Sequence, residues 1–147
     1  WGVLVGALDI AKGFVPAYVA HALWGEHAAY VAGVAAVLGH VYSPYLKGRG
    51  GRGVATALGA VLGVHPLYAV AMLSVFAVVL VVSRWVGLAS MSAAVGLVGI
   101  GVLNAMGRLR GDSGTALWAI GFGTIIIIRH IPHVRDRLRV RRAERSG

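Results

Sequence analysis

The sequence predicts an all-α, polytopic integral membrane helix bundle with six membrane segments. Of the 147 residues, 58% are hydrophobic and only 13% are charged, whereas about 25% of a typical soluble domain is charged. A chain this apolar cannot hide its hydrophobic side chains in one small core, so a soluble globular protein and a disordered chain are both excluded. Glycine, at 22 residues, is about twice as frequent as usual, which suits helices that pack closely in lipid.

Apolar stretches that fit membrane helices follow one another along the chain. A membrane helix needs about 20 mostly apolar residues. The predicted stretches are 2–23, 28–46, 54–82, 85–106 and 115–128. As one helix, 54–82 would be about 43 Å long, which exceeds a hydrocarbon core of about 30 Å. His65-Pro66 predicts a break, because proline removes a backbone donor and restricts the residue before it.

The distribution of basic residues favours two segments in 54–82. With a break, eleven cations lie on one side of the membrane and only Arg108 and Arg110 on the other, as the positive-inside rule prefers. Loop 47–52, Arg84 and both termini are then cytoplasmic. We expect a membrane-embedded domain over 1–131 and a basic cytoplasmic tail over 132–147. The net charge of +9 therefore indicates anionic lipid rather than nucleic acid.

The stretch that follows the second apolar segment is typical of an anion-binding loop. Its glycines let the backbone turn and expose N–H groups, its cations attract phosphate, and a helix N-terminus follows. The candidate phosphate-binding residues are Lys47, Arg49, Gly50, Gly51, Arg52, Gly53 and Thr56. His40 precedes the loop at membrane depth, where a titratable group is a functional candidate. The alternative is that the loop only anchors the topology.

Two nucleotide-binding signatures are excluded for this loop. Gly48-x-Gly50-x-x-Gly53 matches the dinucleotide fingerprint, but no strand precedes it and no acidic residue lies about 20 positions further on. It is not a Walker loop either, because Val54 stands where lysine must follow the second glycine.

Several other polar residues could be either structural or part of a substrate site. Asp9 and Lys12, one helical turn apart, form either a structural ion pair or a site that brings Lys12 near a phosphate. Ser90 lies in a small-residue stretch, where packing competes with a substrate contact. The end of the last apolar segment offers Arg129, His130 and His133, without the ligands that zinc requires.

The remaining histidines are expected at the other side of the membrane. For His21, His27 and His65 we expect no chemistry there. The sequence holds no cysteine.

Four stretches together resemble a known family. Residues 39–56, with GH followed by GGRGVAT, are similar to the GH…KGGKGVAT motif of the bacterial acyl-phosphate:glycerol-3-phosphate acyltransferases, the PlsY family. LDIAKG with Pro16 resembles LDxxKGxxP, RWVGLAS at 84–90 resembles RYVSLGS, and RHIPH at 129–133 resembles RHxxNI. The four motifs occur in the family's order over nearly the whole chain.

The resemblance implies a reaction and a location. A fatty acyl group would pass from acyl-phosphate to the 1-hydroxyl of glycerol 3-phosphate, giving lysophosphatidic acid for phospholipid synthesis, without cofactor or metal. The protein would be a multi-pass protein of the bacterial cytoplasmic (inner) membrane, in contact with membrane lipid and with its active face cytoplasmic. The family fold has seven helices, and the sequence leaves the oligomeric state open, a monomer included.

The resemblance also implies roles for the candidate residues. His40 would orient the attacking hydroxyl or accept its proton, although a substrate phosphate could accept it instead. The implied substrate- or phosphate-binding residues are Lys12, Lys47, Arg49, Gly50, Gly51, Arg52, Gly53, Thr56, Ser90, Arg129, His130 and His133.

The chain departs from the family pattern at two places that bear on activity. His133 replaces the asparagine of the terminal motif. The family's first motif would precede Trp1, so we expect an upstream segment and expect this chain alone to be inactive.

Two other functions remain as alternatives. A small membrane transporter for an organic phosphate anion would suit basic loops and broken helices, and a non-catalytic paralogue would suit the altered terminal motif. Acyltransferases that use a His-x-x-x-x-Asp pair are disfavoured, because Tyr45 stands five residues after His40.

Overall fold

The chain folds as a bundle of helices. The computed structural model describes residues 2–42, 53–109 and 111–146, and every regular element within these ranges is α-helical. The helices are α1 Gly2–Trp24, α2 Glu26–Val41, α3 Val54–Val64, α4 Pro66–Ser83, α5 Val86–Ala105 and α6 Ser113–Ser146. The predicted all-α class is therefore confirmed.

The predicted break at His65-Pro66 is confirmed as well. Helix α3 ends at Val64, and Pro66 begins α4 at its first position, where the missing N–H costs nothing. Pro16 and Pro132, by contrast, lie inside α1 and α6 without ending them. Because α6 continues through Pro132 to Ser146, the expected boundary between the membrane domain and the basic tail falls within one continuous helix.

Three helices in the described ranges are long and apolar enough to cross a membrane by themselves. They are Pro66–Ser83, Val86–Ala105 and the Ser113–Pro132 part of α6. Helix α3 is apolar but has only 11 residues, about half the thickness of a hydrocarbon core. The structure thus shows six helices, of which three meet the length and hydropathy of a membrane span.

Successive helices run in alternating directions, so the bundle has two ends. At one end, which we name the His40 end, His40 contacts Asp9 and Val41 contacts Arg129. At the opposite end, which we name the Tyr30 end, Tyr30 contacts His65 and Thr115. A core of buried side chains between the ends includes Val37, Val61, Leu97, Trp118 and Phe122.

Helices α1 and α3 approach each other at backbone distance. A Cβ atom on Gly13 would collide with the backbone carbonyl of Thr56, and one on Gly59 would collide with the carbonyl of Ile10. A Cβ on Gly63 would make a tight contact with the backbone of Tyr18 and Phe14, at 3.0 and 3.1 Å. The short helix α3 is therefore held against the middle of α1, which places the start of α3 beside Asp9 and Lys12.

Candidate functional site

A carboxylate, an imidazole and an ammonium group meet at the His40 end. Nδ1 of His40 lies 3.5 Å from Oδ1 of Asp9, and Nζ of Lys12 lies 3.5 Å from the same oxygen. The side chains of Asp9 and His40 are 18% and 15% exposed, whereas that of Lys12 is 65% exposed. Of the two interpretations of Asp9 and Lys12, the ion pair is present, and the exposed ammonium group is still able to meet a ligand.

The flanks of the glycine-rich loop lie next to this group. Gly53 adopts a left-handed conformation with φ of 76° and forms the N-cap of α3. A Cβ atom there would lie 2.9 Å from Cγ2 of Val41, so the loop leaves α2 and returns to α3 at nearly the same point. Glycine fits because other residues rarely adopt positive φ and because the end of α2 leaves no room.

Most of the predicted phosphate-binding loop lies outside the described residues. This applies to Lys47, Arg49, Gly50, Gly51 and Arg52. The side chain of His133 is likewise outside the described part of the chain.

Thr56 faces the helix packing rather than open space. It is fully buried in the first turn of α3, and its hydroxyl has no hydrogen-bond partner among the described residues. Its own carbonyl meets Gly13 of α1. In this conformation Thr56 is part of the helix packing and presents no hydroxyl at the surface.

The last helix contributes Arg129 and His130 in different ways. Nη2 of Arg129 donates a hydrogen bond to the carbonyl oxygen of Val41 at 3.2 Å, and the guanidinium lies 5.3 Å from the ring centre of Tyr42. His130 is fully buried, and its Nδ1 donates to the carbonyl of Ile126 at 3.0 Å. Arg129 is thus at the His40 end, whereas His130 lies in the packed interior.

An apolar cavity of about 370 Å³ opens between α1, α3, α4 and α5. Ser90, which is 4% exposed, supplies the one polar side chain among its described lining residues. The remaining lining residues are Gly6, Ile10, Val54, Ala55, Leu58, Met72, Leu73, Phe76, Val86 and Ala93. Because Val54 and Ala55 form the first turn of α3, the cavity begins where the loop ends.

The Tyr30 end holds a polar network that the sequence reasoning missed. The Tyr30 hydroxyl lies 2.7 Å from Oγ1 of Thr115, 3.0 Å from Nε2 of His65 and 3.1 Å from Oε2 of Glu26. Burial lowers the pKa of His65. Hydrogen bonds from the backbone N–H and the hydroxyl of Thr115 lower the pKa of Asp112, which caps α6 in this way. The sequence signal for this N-cap is the spacing of three residues between Asp112 and Thr115.

Two further points concern metal ions and the remaining histidines. No group of three or more histidine or carboxylate side chains within the described ranges is arranged to hold a metal ion. His27 lies 3.8 Å from Asp112, with an 82% exposed side chain, and His21 is partly buried in the last turn of α1. These contacts join the helix ends, and no described residue here faces the apolar cavity.

The fold and the site define a membrane helix bundle with a polar centre at the His40 end, next to an apolar cavity. The chain belongs to the glycerol-3-phosphate acyltransferase family, because the sequence model of that family matches residues 1–139. The resemblance of the four motifs is thereby confirmed.

Curated relatives agree with this assignment. A glycerol-3-phosphate acyltransferase of Geotalea daltonii is 43% identical over 94 residues, which cover 63% of this chain and 48% of that protein. One from Staphylococcus aureus is 41% identical over 105 residues, which cover 64% and 51%. The chain thus spans about half the length of the curated relatives it matches.

Solved structures match over more of the chain. A crystal structure of PlsY, an integral membrane glycerol 3-phosphate acyltransferase, in its glycerol 3-phosphate form superimposes with a TM-score of 0.84 at 36% identity. The match covers 95% of this chain and 68% of that one. The lysophosphatidic acid form gives a TM-score of 0.82 at 36% identity.

Proposed function

We propose that the protein transfers a fatty acyl group from acyl-phosphate to the 1-hydroxyl of glycerol 3-phosphate, releasing lysophosphatidic acid and phosphate. The observation that carries this proposal is the meeting of the Asp9–His40 pair, the flanks of the basic loop and Arg129 at one end of a chain from this family. The relatives' names and the glycerol 3-phosphate form of PlsY support the acceptor substrate.

Phosphate groups would bind at the loop. Arg49 and Arg52, together with backbone N–H groups at the start of α3, would hold the phosphate of a substrate and stabilise the phosphate that leaves. Lys12 and Arg129, whose positions at the His40 end are described, add positive charge next to it. Lys47 adds a further cation to the electrostatic field.

His40 would orient the acceptor. The 1-hydroxyl oxygen of glycerol 3-phosphate attacks the acyl carbonyl carbon, forming the new ester bond, and the bond between that carbon and the bridging phosphate oxygen breaks. The hydroxyl donates a hydrogen bond to the imidazole as it attacks, and its proton leaves with the released phosphate. Orientation of a reacting group is itself a large catalytic effect, because it removes the need for a chance encounter.

The acyl chain would occupy the apolar cavity. Its lining is almost entirely aliphatic or aromatic, and it begins at the first turn of α3, next to the loop. Ser90 at its wall would donate a hydrogen bond to the oxygen of the acyl or phosphate group. A chain entering between α1 and α4 would thus reach the loop without crossing water.

The predicted placement of loop 47–52, Arg84 and the basic tail on one membrane side favours a cytoplasmic location for the His40 end. All six helices would lie in the bacterial inner membrane, with the short α3 supported by α1. The protein would act on membrane lipid precursors there, and a monomer contains all the groups named above.

The proposal is tested by acyl transfer with the full-length protein in detergent, using palmitoyl-phosphate and glycerol 3-phosphate. We expect Arg52→Ala to raise KM for glycerol 3-phosphate and His40→Ala to lower kcat about 100-fold. Arg108→Ala, at the opposite membrane side, serves as the matched control and should retain the parental rate.

Two results would contradict this proposal. Parental rates in both the Arg52 and the His40 variants would remove the assigned roles. Equal use of palmitoyl-CoA as donor would remove acyl-phosphate as the characteristic substrate.

A further inference from the structure

We infer that Asp9 is a positioning residue for His40: its carboxylate fixes the imidazole so that Nε2 faces the acceptor substrate as a hydrogen-bond acceptor. This inference rests on the proposed function and assigns a role to a carboxylate in the middle of an apolar helix. The relevant contact joins α1 to α2, at 3.5 Å between Oδ1 of Asp9 and Nδ1 of His40.

The contact favours one position for the hydrogen on the imidazole ring. A carboxylate oxygen without hydrogen only accepts hydrogen bonds, so the 3.5 Å contact favours hydrogen on Nδ1 of His40, the nitrogen that faces Asp9. In the neutral imidazole the other nitrogen, Nε2, is then an acceptor. Because the two nitrogens lie on opposite sides of the ring, Nε2 points away from Asp9. His40 is thereby prepared to receive a hydrogen bond from a substrate hydroxyl.

The surroundings keep this arrangement in place. The side chains of Asp9 and His40 are both largely buried, so neither is free to rotate into solvent. Among the described residues, the charged groups near His40 are Asp9 and Lys12 on α1 and Arg129 on α6. Arg129 bonds the carbonyl of Val41, the residue after His40. Lys12 offsets the negative charge of Asp9, which would otherwise be costly in an apolar environment.

A purely structural pair would show different consequences. If Asp9 only joined α1 to α2, its replacement would change stability and leave the chemistry of folded molecules unaltered. Asp9→Asn separates the two cases, since it preserves size while allowing the amide to donate to Nδ1. That donation favours the tautomer with hydrogen on Nε2, which cannot accept from a hydroxyl. The corresponding aspartate-to-asparagine change in a serine protease triad lowers activity through the same change of histidine tautomer.

The first experiment measures kcat and KM for glycerol 3-phosphate with full-length Asp9→Asn, Asp9→Glu and Asp9→Asn/His40→Ala proteins in detergent. We expect Asp9→Asn to lower kcat about 100-fold with KM unchanged, and Asp9→Glu to recover part of the rate. In the double variant, Asp9→Asn should add no further loss to His40→Ala. Glu26→Gln, the same chemical change at the Tyr30 end, should retain the parental kcat.

The second experiment reads the tautomer from the wild-type protein, and a variant serves only to identify its signals. The wild-type protein with ¹⁵N-labelled histidine gives the tautomer of each ring by NMR, and the His40 signals are identified by their loss in His40→Gln. We expect hydrogen on Nδ1 and an unprotonated Nε2 in the neutral ring.

Several results would overturn the inference. These are a neutral His40 with hydrogen on Nε2, parental kcat in Asp9→Asn, or full additivity of the two substitutions. A wild-type protein without acyl transfer would instead refute the proposed function, and the NMR result would still decide how Asp9 orients His40.

Discussion

Arg129 donates a hydrogen bond from Nη2 to the backbone carbonyl of Val41, joining residues 88 positions apart in sequence. The last carbonyls of a helix have no partner within the helix, and a cation there is favoured by the helix dipole. The same guanidinium lies over the ring of Tyr42. One side chain of α6 therefore holds the end of α2, directly after His40 and directly before the basic loop.

We predict that Arg129→Lys weakens this attachment. Lysine keeps the charge but lacks the planar group that bonds Val41 while lying over Tyr42. The expected loss of unfolding free energy is about 1–2 kcal/mol, together with a higher KM for glycerol 3-phosphate. Thermal unfolding in detergent and initial rates measure the two effects. Arg135→Lys, on an exposed part of α6, is the control; an equal loss there would argue against a specific role for Arg129.

Close packing of α1 on α3 gives a second prediction. Gly13→Ala places a methyl group against the backbone carbonyl of Thr56, which cannot move aside as a flexible side chain would. We expect α3 to shift and stability to fall by about 1–3 kcal/mol. Gly99→Ala is the matched control, because a Cβ there meets nothing within 4 Å and alanine favours a helix. Equal melting temperatures for both variants would contradict this account.

The apolar cavity gives a prediction about acyl-chain length. Gly6 lines the cavity, and a Cβ on it would meet nothing within 4 Å, so Gly6→Leu can fill the cavity without disturbing the backbone. We expect kcat/KM for palmitoyl-phosphate to fall about tenfold relative to octanoyl-phosphate. Gly2→Leu, one turn earlier on α1 and outside the lining, should leave this ratio unchanged. An unaltered ratio in Gly6→Leu would place the acyl chain elsewhere.

The Tyr30 end makes stability depend on pH. Burial lowers the pKa of His65 from its ordinary value of 6.5. The charges of Glu26 and Asp112 partly oppose this shift, whereas His21 adds to it. The unfolded chain therefore binds this proton more readily than the folded one. As pH falls through about 6.5, the unfolded state gains stability, until the folded form also binds the proton.

The measurement is thermal unfolding between about pH 8 and about pH 5. We expect the wild-type melting temperature to fall over this interval, and the fall to be smaller in His65→Gln. Asp112, whose pKa is lowered, stabilises the fold above its ordinary value of 3.8, and its contribution is lost only at more acidic pH. Identical pH profiles for wild type and His65→Gln would contradict the role of His65.

Local sequence predicted most of the helices but not how well each spans the membrane. The break before Pro66 was correct because proline acts on its own backbone and on the residue before it. The length of α3 was harder to judge. It has only 11 residues, and it can be so short because Gly13 and Gly59 let it pack on α1. That support is a contact between distant residues, which hydropathy does not report.

The sequence alone determined the membrane class, the helical architecture and the family, since these depend on composition and on residues near one another in the chain. Only the tertiary structure decided that Asp9 contacts His40 as well as Lys12, that Arg129 bonds the carbonyl of Val41, and that Thr56 and His130 are buried. The physical reason is that a side chain three positions away is a neighbour in any helix, whereas a partner on another helix is set by how the helices pack.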